Sequence, residues 1–146
     1  MENNVLDTAR VGYECEKRGI RLIYHLSSAT VYGELQKLPM GKDQSTRPLL
    51  SHGLSKLQGD EMLKVFASTY GLKYVTLRLF NVYGPHQSSS YADVVTIFSE
   101  KASRSKPSVI YIYGARTRDF VYIEDVAEVI EHTTREEGSC WVVSYR

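Results

Sequence analysis

Two cysteines, a thin scatter of glycines and no long apolar run set the first limits on this sequence. Cys15 and Cys140 lie far apart and lack metal-ligand spacing, so neither a disulfide framework nor a metal site is indicated. No segment approaches the roughly 18 consecutive apolar residues of a membrane span. The opening stretch, MENNVLDTAR, lacks the basic-then-apolar order of a secretory leader. These absences point to the cytoplasm and away from a membrane. Charge of one sign is also lacking. The formal net charge is +1, without a run of like charges, so no nucleic-acid partner is indicated. The ten glycines form no G-x-x-G-x-x-G turn of the kind that cradles a dinucleotide pyrophosphate.

What is present is an ordinary globular composition in a chain long enough for one domain, 146 residues with 42% hydrophobic and 24% charged. Helix and strand patterns alternate along it. Val5, Ala9 and Tyr13 recur at helical spacing ahead of Gly19, and IRLIYHLSS follows as an apolar strand. Residues 35–50, with Pro39, Gly41 and Pro48, read as a loop. Residues 53–70 predict a helix with Leu54, Leu57, Met62, Val65, Phe66 and Tyr70 on its apolar side, stopped by Gly71. KYVTLRLFNVYG predicts one strand running to the turn at Gly84-Pro85. A helix (YADVVTIFSEKA), a strand (SVIYIYG), a short strand (DFVYI), a helix (EDVAEVIEHTTRE) and a last strand (CWVVSY) complete the pattern. Such alternation implies an α/β fold with a parallel, doubly wound sheet and helices on both faces.

Ligands of these sheets bind beyond the carboxyl ends of the strands. One strand there runs into SSATVYG and another into RLFNVYGP, and the helix between them carries His52 and Lys56 four residues apart, on one face. Any one of these clusters would pass as turn, capping or surface residues. Three at corresponding strand ends point to a site.

The segments IYHLSSATVYGE, HGLSKLQGDEML, LRLFNVYGPHQ and TRDFVYIEDVA together resemble four successive blocks of the extended short-chain dehydrogenases/reductases, in the same order. The branch they are most similar to is the NAD-dependent nucleotide-sugar epimerases and dehydratases of the UDP-glucose 4-epimerase type. That resemblance implies roles for individual positions. Ser28 matches a catalytic hydroxyl that hydrogen-bonds the reacting sugar, and Thr30 a position near that sugar. Lys56 matches the lysine that holds the nicotinamide ribose, Asn3 an asparagine near the cofactor, and Phe80 a residue lining the nicotinamide side. Asn81 matches a contact to the nucleotide-sugar phosphates, and Arg118 an arginine that clamps the diphosphate.

Two departures accompany the resemblance. The block that supplies the general base reads Tyr-x-x-x-Lys in the family, and here His52 stands where the tyrosine would be. Imidazole accepts a proton near neutral pH, but its ring is shorter than a phenol and proton transfer demands hydrogen-bond reach, so His52 reads as a lesion in the site rather than a redesigned base. The strand and Gly-rich turn that open family members are also unmatched. The expectation is a central fragment: a partial Rossmann-like sheet lacking its first strands over about residues 1–84, then the start of a substrate lobe with returning strands over about 85–146. The chain alone would bind NAD weakly and turn over little. The alternative is a non-catalytic pseudoenzyme or subunit that keeps the fold for protein contact or nucleotide-sugar binding. The apolar strand LIYHL, left with a bare edge, would seek another copy or a partner carrying the missing strands.

Overall fold

The computed structural model of the protein describes residues 2–34, 40–88, 94–110, 114, 117–135 and 141–145. In chain order the elements are α1 (Glu2–Lys17), β1 (Leu22–Ser28), a 3₁₀ turn (Ala29–Tyr32), α2 (Ser51–Tyr70), β2 (Lys73–Leu79) and β3 (Asn81–Tyr83). They are followed by α3 (Val94–Ser103), β4 (Phe120–Tyr122), α4 (Ile123–Arg135) and β5 (Trp141–Tyr145). β1, β2 and β5 form one sheet in that order, and both pairings are parallel. β3 and β4 form a second, two-stranded parallel sheet. The parallel α/β architecture expected from the alternation of elements is therefore present.

Side chains alternate across the main sheet, and its two faces differ in chemistry. On one face Val75 and Leu77 join Val121 and Val126 in an apolar core, with Tyr24, Leu79 and Val129 packed at its margin. The Tyr24 hydroxyl donates to the Ile130 carbonyl at 3.2 Å, tying β1 to α4. The other face presents His25 and Arg78 to α2, where both approach Asp60. Helices α1 and α2 stop where glycine predicts. Gly19 and Gly71 take φ of 67° and 68°, a left-handed conformation that costs other residues steric strain.

The face that α2 buries is not the one its apolar residues predict. Gly53, Ser55, Gly59, Asp60 and Leu63 are buried, whereas Leu54, Val65 and Tyr70 are 40%, 56% and 53% exposed. Small residues win because α2 lies close to its neighbours. A Cβ on Gly59 would sit 3.0 Å from the His25 ring and 3.1 Å from the Asn4 carbonyl oxygen. On α1 the same rule holds: Gly12 and Cys15 are buried, Gly12 under the Phe66 ring, while Tyr13 is 56% exposed.

Two strand expectations are corrected. KYVTLRLFNVYG is not one strand: it ends at Leu79, and after Phe80 the chain resumes as β3 in the second sheet. The cause is partner choice, because the Asn81 backbone and side chain both bond to the Asp119 carbonyl beside β4. Of SVIYIYG, residues 108–110 are not strand, and 111–113 lie outside the described residues. So do residues 91–93, the start of the helix expected there, which is described as α3 from Val94.

Candidate functional site

The β1–β2 register places Ser28 opposite Leu79, so Phe80 and Asn81 follow directly from the strand end beside Ser28. Ser28 is the N-cap of the 3₁₀ turn. Its Oγ accepts from the Thr30 amide at 3.2 Å and from Thr30 Oγ1 at 2.9 Å. Both bonds use the oxygen as acceptor, so the Ser28 proton is left to be donated elsewhere. The capping role and the role implied by the resemblance are thus compatible.

α2 is held against this turn. Gly53 faces the Thr30 carbonyl, and Lys56 Nζ donates to the Leu26 carbonyl at 2.8 Å, near the carboxyl end of β1. Burial pushes the Lys56 ammonium below the usual lysine pKa, and the Asp60 carboxylate one turn on draws it part of the way back. His52, one turn before Lys56, is exposed. Ser28, Thr30, His52 and Lys56 therefore belong to one corner of the molecule, where the end of β1 meets the start of α2.

Asn81 and Arg118 meet in a second place. Together with Lys101, Phe98, Val109 and Phe120 they line a cleft of about 770 Å³ between α3 and the small sheet. The cleft is mostly apolar, with the guanidinium of exposed Arg118 and the ammonium of Lys101 as its cations. Phe80 is half-buried and packs against the main core. The side chain of Asn3 lies outside the described residues.

Three residues that matter here were given no role by the sequence reading. Lys101 looked like one charge on a solvated helix. Asp60 and Arg78 form a buried ion pair, with Nε 3.2 Å from Oδ2 and side chains 1% and 6% exposed. Arg78 also donates to the Tyr32 hydroxyl at 3.3 Å, and its guanidinium carbon lies 5.1 Å from the Tyr32 ring centroid. The two residues are 18 apart in sequence, and only the fold brings them together. Among the described residues no cluster of side chains could hold a metal ion, and no helix is long and apolar enough to cross a membrane.

Residues 1–140 match the model of the NAD dependent epimerase/dehydratase family. The chain belongs to that family. A curated relative in the family, a putative UDP-glucose 4-epimerase of Methanocaldococcus jannaschii, is 38% identical over 127 residues, which is 86% of this chain and 42% of the relative. A UDP-N-acetylglucosamine 4-epimerase from Methanobrevibacter ruminantium M1, solved in complex with UDP-N-acetylmuramic acid, superposes with a TM-score of 0.91 at 31% identity, covering 99% of this chain and 47% of that one. A UDP-glucuronic acid 4-epimerase from Bacillus cereus, solved with UDP-glucuronic acid and NAD, gives 0.86 at 27% identity, covering 98% and 45%. The chain thus spans less than half the length of these relatives, and the family's fold covers nearly all of it.

Proposed function

We propose that the chain carries the substrate side of a hydride-transfer site for a nucleotide sugar, of the epimerase or dehydratase kind. The observation that carries this reading is the cleft of about 770 Å³ where Asn81 and Arg118 meet. Its volume is in the range of small-molecule sites, about 300–1,000 Å³. Phe98, Phe120 and Val109 offer apolar surface to a ring, while the Arg118 guanidinium and the Lys101 ammonium offer donors to a diphosphate. The UDP-sugar activities named for the relatives agree with that chemistry.

In this reading Ser28 donates its free proton to the oxygen of the reacting sugar hydroxyl. Thr30 holds the serine oxygen in place through the two bonds it gives. His52, exposed at the head of α2, is the imidazole left to receive the sugar proton, and the short reach of its ring is expected to keep turnover low. A bound NAD would supply the hydride acceptor that this chemistry needs. Lys56 fits the nicotinamide-ribose end of that cofactor, since an ammonium with three donors spends one on the Leu26 carbonyl. No residue in the sequence fits the pyrophosphate turn, so the chain by itself is expected to hold NAD weakly and to turn over little. Among the described residues β1 pairs on one side only, which supports association with another copy or with a partner's strand.

The exposed His52 at the place of the base favours a second reading, in which the chain binds nucleotide sugars without catalysis. Calorimetry with UDP-glucose tests the binding half common to both. Binding is expected, and Arg118→Ala should weaken it by roughly tenfold to a hundredfold, the worth of a charged hydrogen bond. No measurable heat would sink the proposal. Adding NAD and following sugar epimerisation then separates the readings: turnover favours the enzyme, binding without turnover the pseudoenzyme.

A further inference from the structure

Asp60 lies one helical turn beyond Lys56 on α2 and is 1% exposed. A carboxylate so deeply buried persists only where cations answer it. One answer comes from β2, where Arg78 Nε binds Oδ2 at 3.2 Å and is itself braced by Tyr32 of the 3₁₀ turn. The other oxygen, Oδ1, has no hydrogen-bond partner among the described residues. His25 Nε2 of β1 is 3.4 Å from it but is not aligned for a hydrogen bond. One oxygen is therefore clamped, and the other keeps its acceptor capacity in a low-dielectric place where its charge reaches further. The segments tied to this single group are the three that carry Ser28, Lys56 and Phe80.

We propose that Asp60 is a positioning residue of this site: clamped by Arg78, it fixes α2 against the strand ends and holds the Lys56 ammonium ion at the Leu26 carbonyl. Only the purpose given to Lys56 rests on the function proposed above; the relation between the two side chains does not.

The physical argument is a balance. Burial disfavours the charged lysine, and the Asp60 charge opposes that effect. The charged and titratable groups around Asp60 are Arg78 from β2 and His25 from β1, with Asp7 of α1 lining the same small cavity as His25 and His52 two turns earlier on α2. Above about pH 8 an ordinary imidazole is neutral, which leaves Arg78 and Asp60 as the fixed charges.

The test is a titration of the chain carrying 13Cε-labelled lysine, followed by NMR from pH 8 upward. In Asp60→Asn the Lys56 midpoint should fall while the other lysines stay in place. Asp60→Glu, which restores a carboxylate, should bring the midpoint back toward that of the unmodified chain. A midpoint unchanged or raised in Asp60→Asn overturns the proposal, as does a fall in Asp60→Glu as large as in Asp60→Asn. Should Asp60→Asn fail to fold, Arg78→Lys carries the test: it keeps the charge that clamps Asp60 but moves it, and a Lys56 midpoint unmoved in that variant overturns the proposal. UDP-glucose binding by the unmodified chain is read in parallel. Absence of binding in the unmodified chain would count against the proposed function alone, leaving the lysine result intact.

Discussion

Gly53 of α2 rests directly on the backbone of Thr30: a Cβ at this position would stand 2.5 Å from the Thr30 carbonyl oxygen and 3.0 Å from its carbon. The helix bearing His52 and Lys56 is thus seated on the turn bearing Ser28 with no room for even a methyl group. Alanine is the better helix former by about 1 kcal/mol, but here it meets backbone that cannot step aside. Gly53→Ala is expected to cost a net of about 1–3 kcal/mol, typical of overpacking. Urea unfolding monitored by circular dichroism measures it, and a stabilised variant would mean that α2 is not seated on Thr30.

Arg78→Met is expected to be the more damaging change. It strands the Asp60 carboxylate in the interior and should cost about 3–5 kcal/mol, as breaking a buried pair does. Replacing both partners with apolar residues should recover much of that loss, because the stranded charge goes too. Thermal melts of the single and double variants decide the matter. A double variant no better than Arg78→Met would contradict it.

Lys56 gives a pH dependence whose sign can be worked out. Its pKa in the folded chain is lowered from 10.5 by burial. Between that lowered value and 10.5 the unfolded chain binds more protons than the folded one, so stability rises with pH in this window. Below the window the lysine is charged in both states and its burial cost is fully present. Relative to Lys56→Met, the unmodified chain should therefore gain stability as pH climbs toward 10.5. Melting temperatures of the two proteins across that range test this, and a difference independent of pH would refute it.

The free edge of β1 is expected to govern behaviour in solution. Leu26 on this strand is 47% exposed, and β2 is its one strand neighbour among the described residues. The 146-residue chain at micromolar concentration should scatter light as dimers or larger species. Leu26→Lys, which puts a charge on that edge, should shift the population toward monomer. A monodisperse monomer before the change is made would dispose of the idea.

The elements were legible where one physical signal dominates. Gly19 and Gly71 marked helix ends because a left-handed stop leaves few residues to choose from. Alternation of strands and helices gave the parallel sheet. The break at Phe80 was not legible, since the run from Lys73 to Tyr83 is strand-prone almost throughout and nothing local says that Asn81 will choose Asp119 as a partner. The buried face of α2 was misread for a related reason. Periodicity rewards large apolar residues, whereas close approach to Thr30 and His25 selects Gly53 and Gly59. Of the candidate site, Ser28, Thr30, His52 and Lys56 fall in one corner, and Asn81 and Arg118 share a cleft. Asp60 and Arg78 escaped notice because a lone acid in a helix and a lone base in a strand each look like surface charge.

The meeting of Gly59 with the His25 ring has a consequence for how this protein can change over generations. The strand residue fills the room that a side chain at position 59 would need, so the two positions share one volume and the order of substitutions between them matters. A methyl group arriving first on the helix must push against an imidazole and, behind it, the Asn4 carbonyl 3.1 Å away. A smaller residue arriving first on the strand leaves only a gap, a milder defect that a later methyl group can partly fill. Routes that begin on the strand stay open, and those that begin on the helix meet a wall.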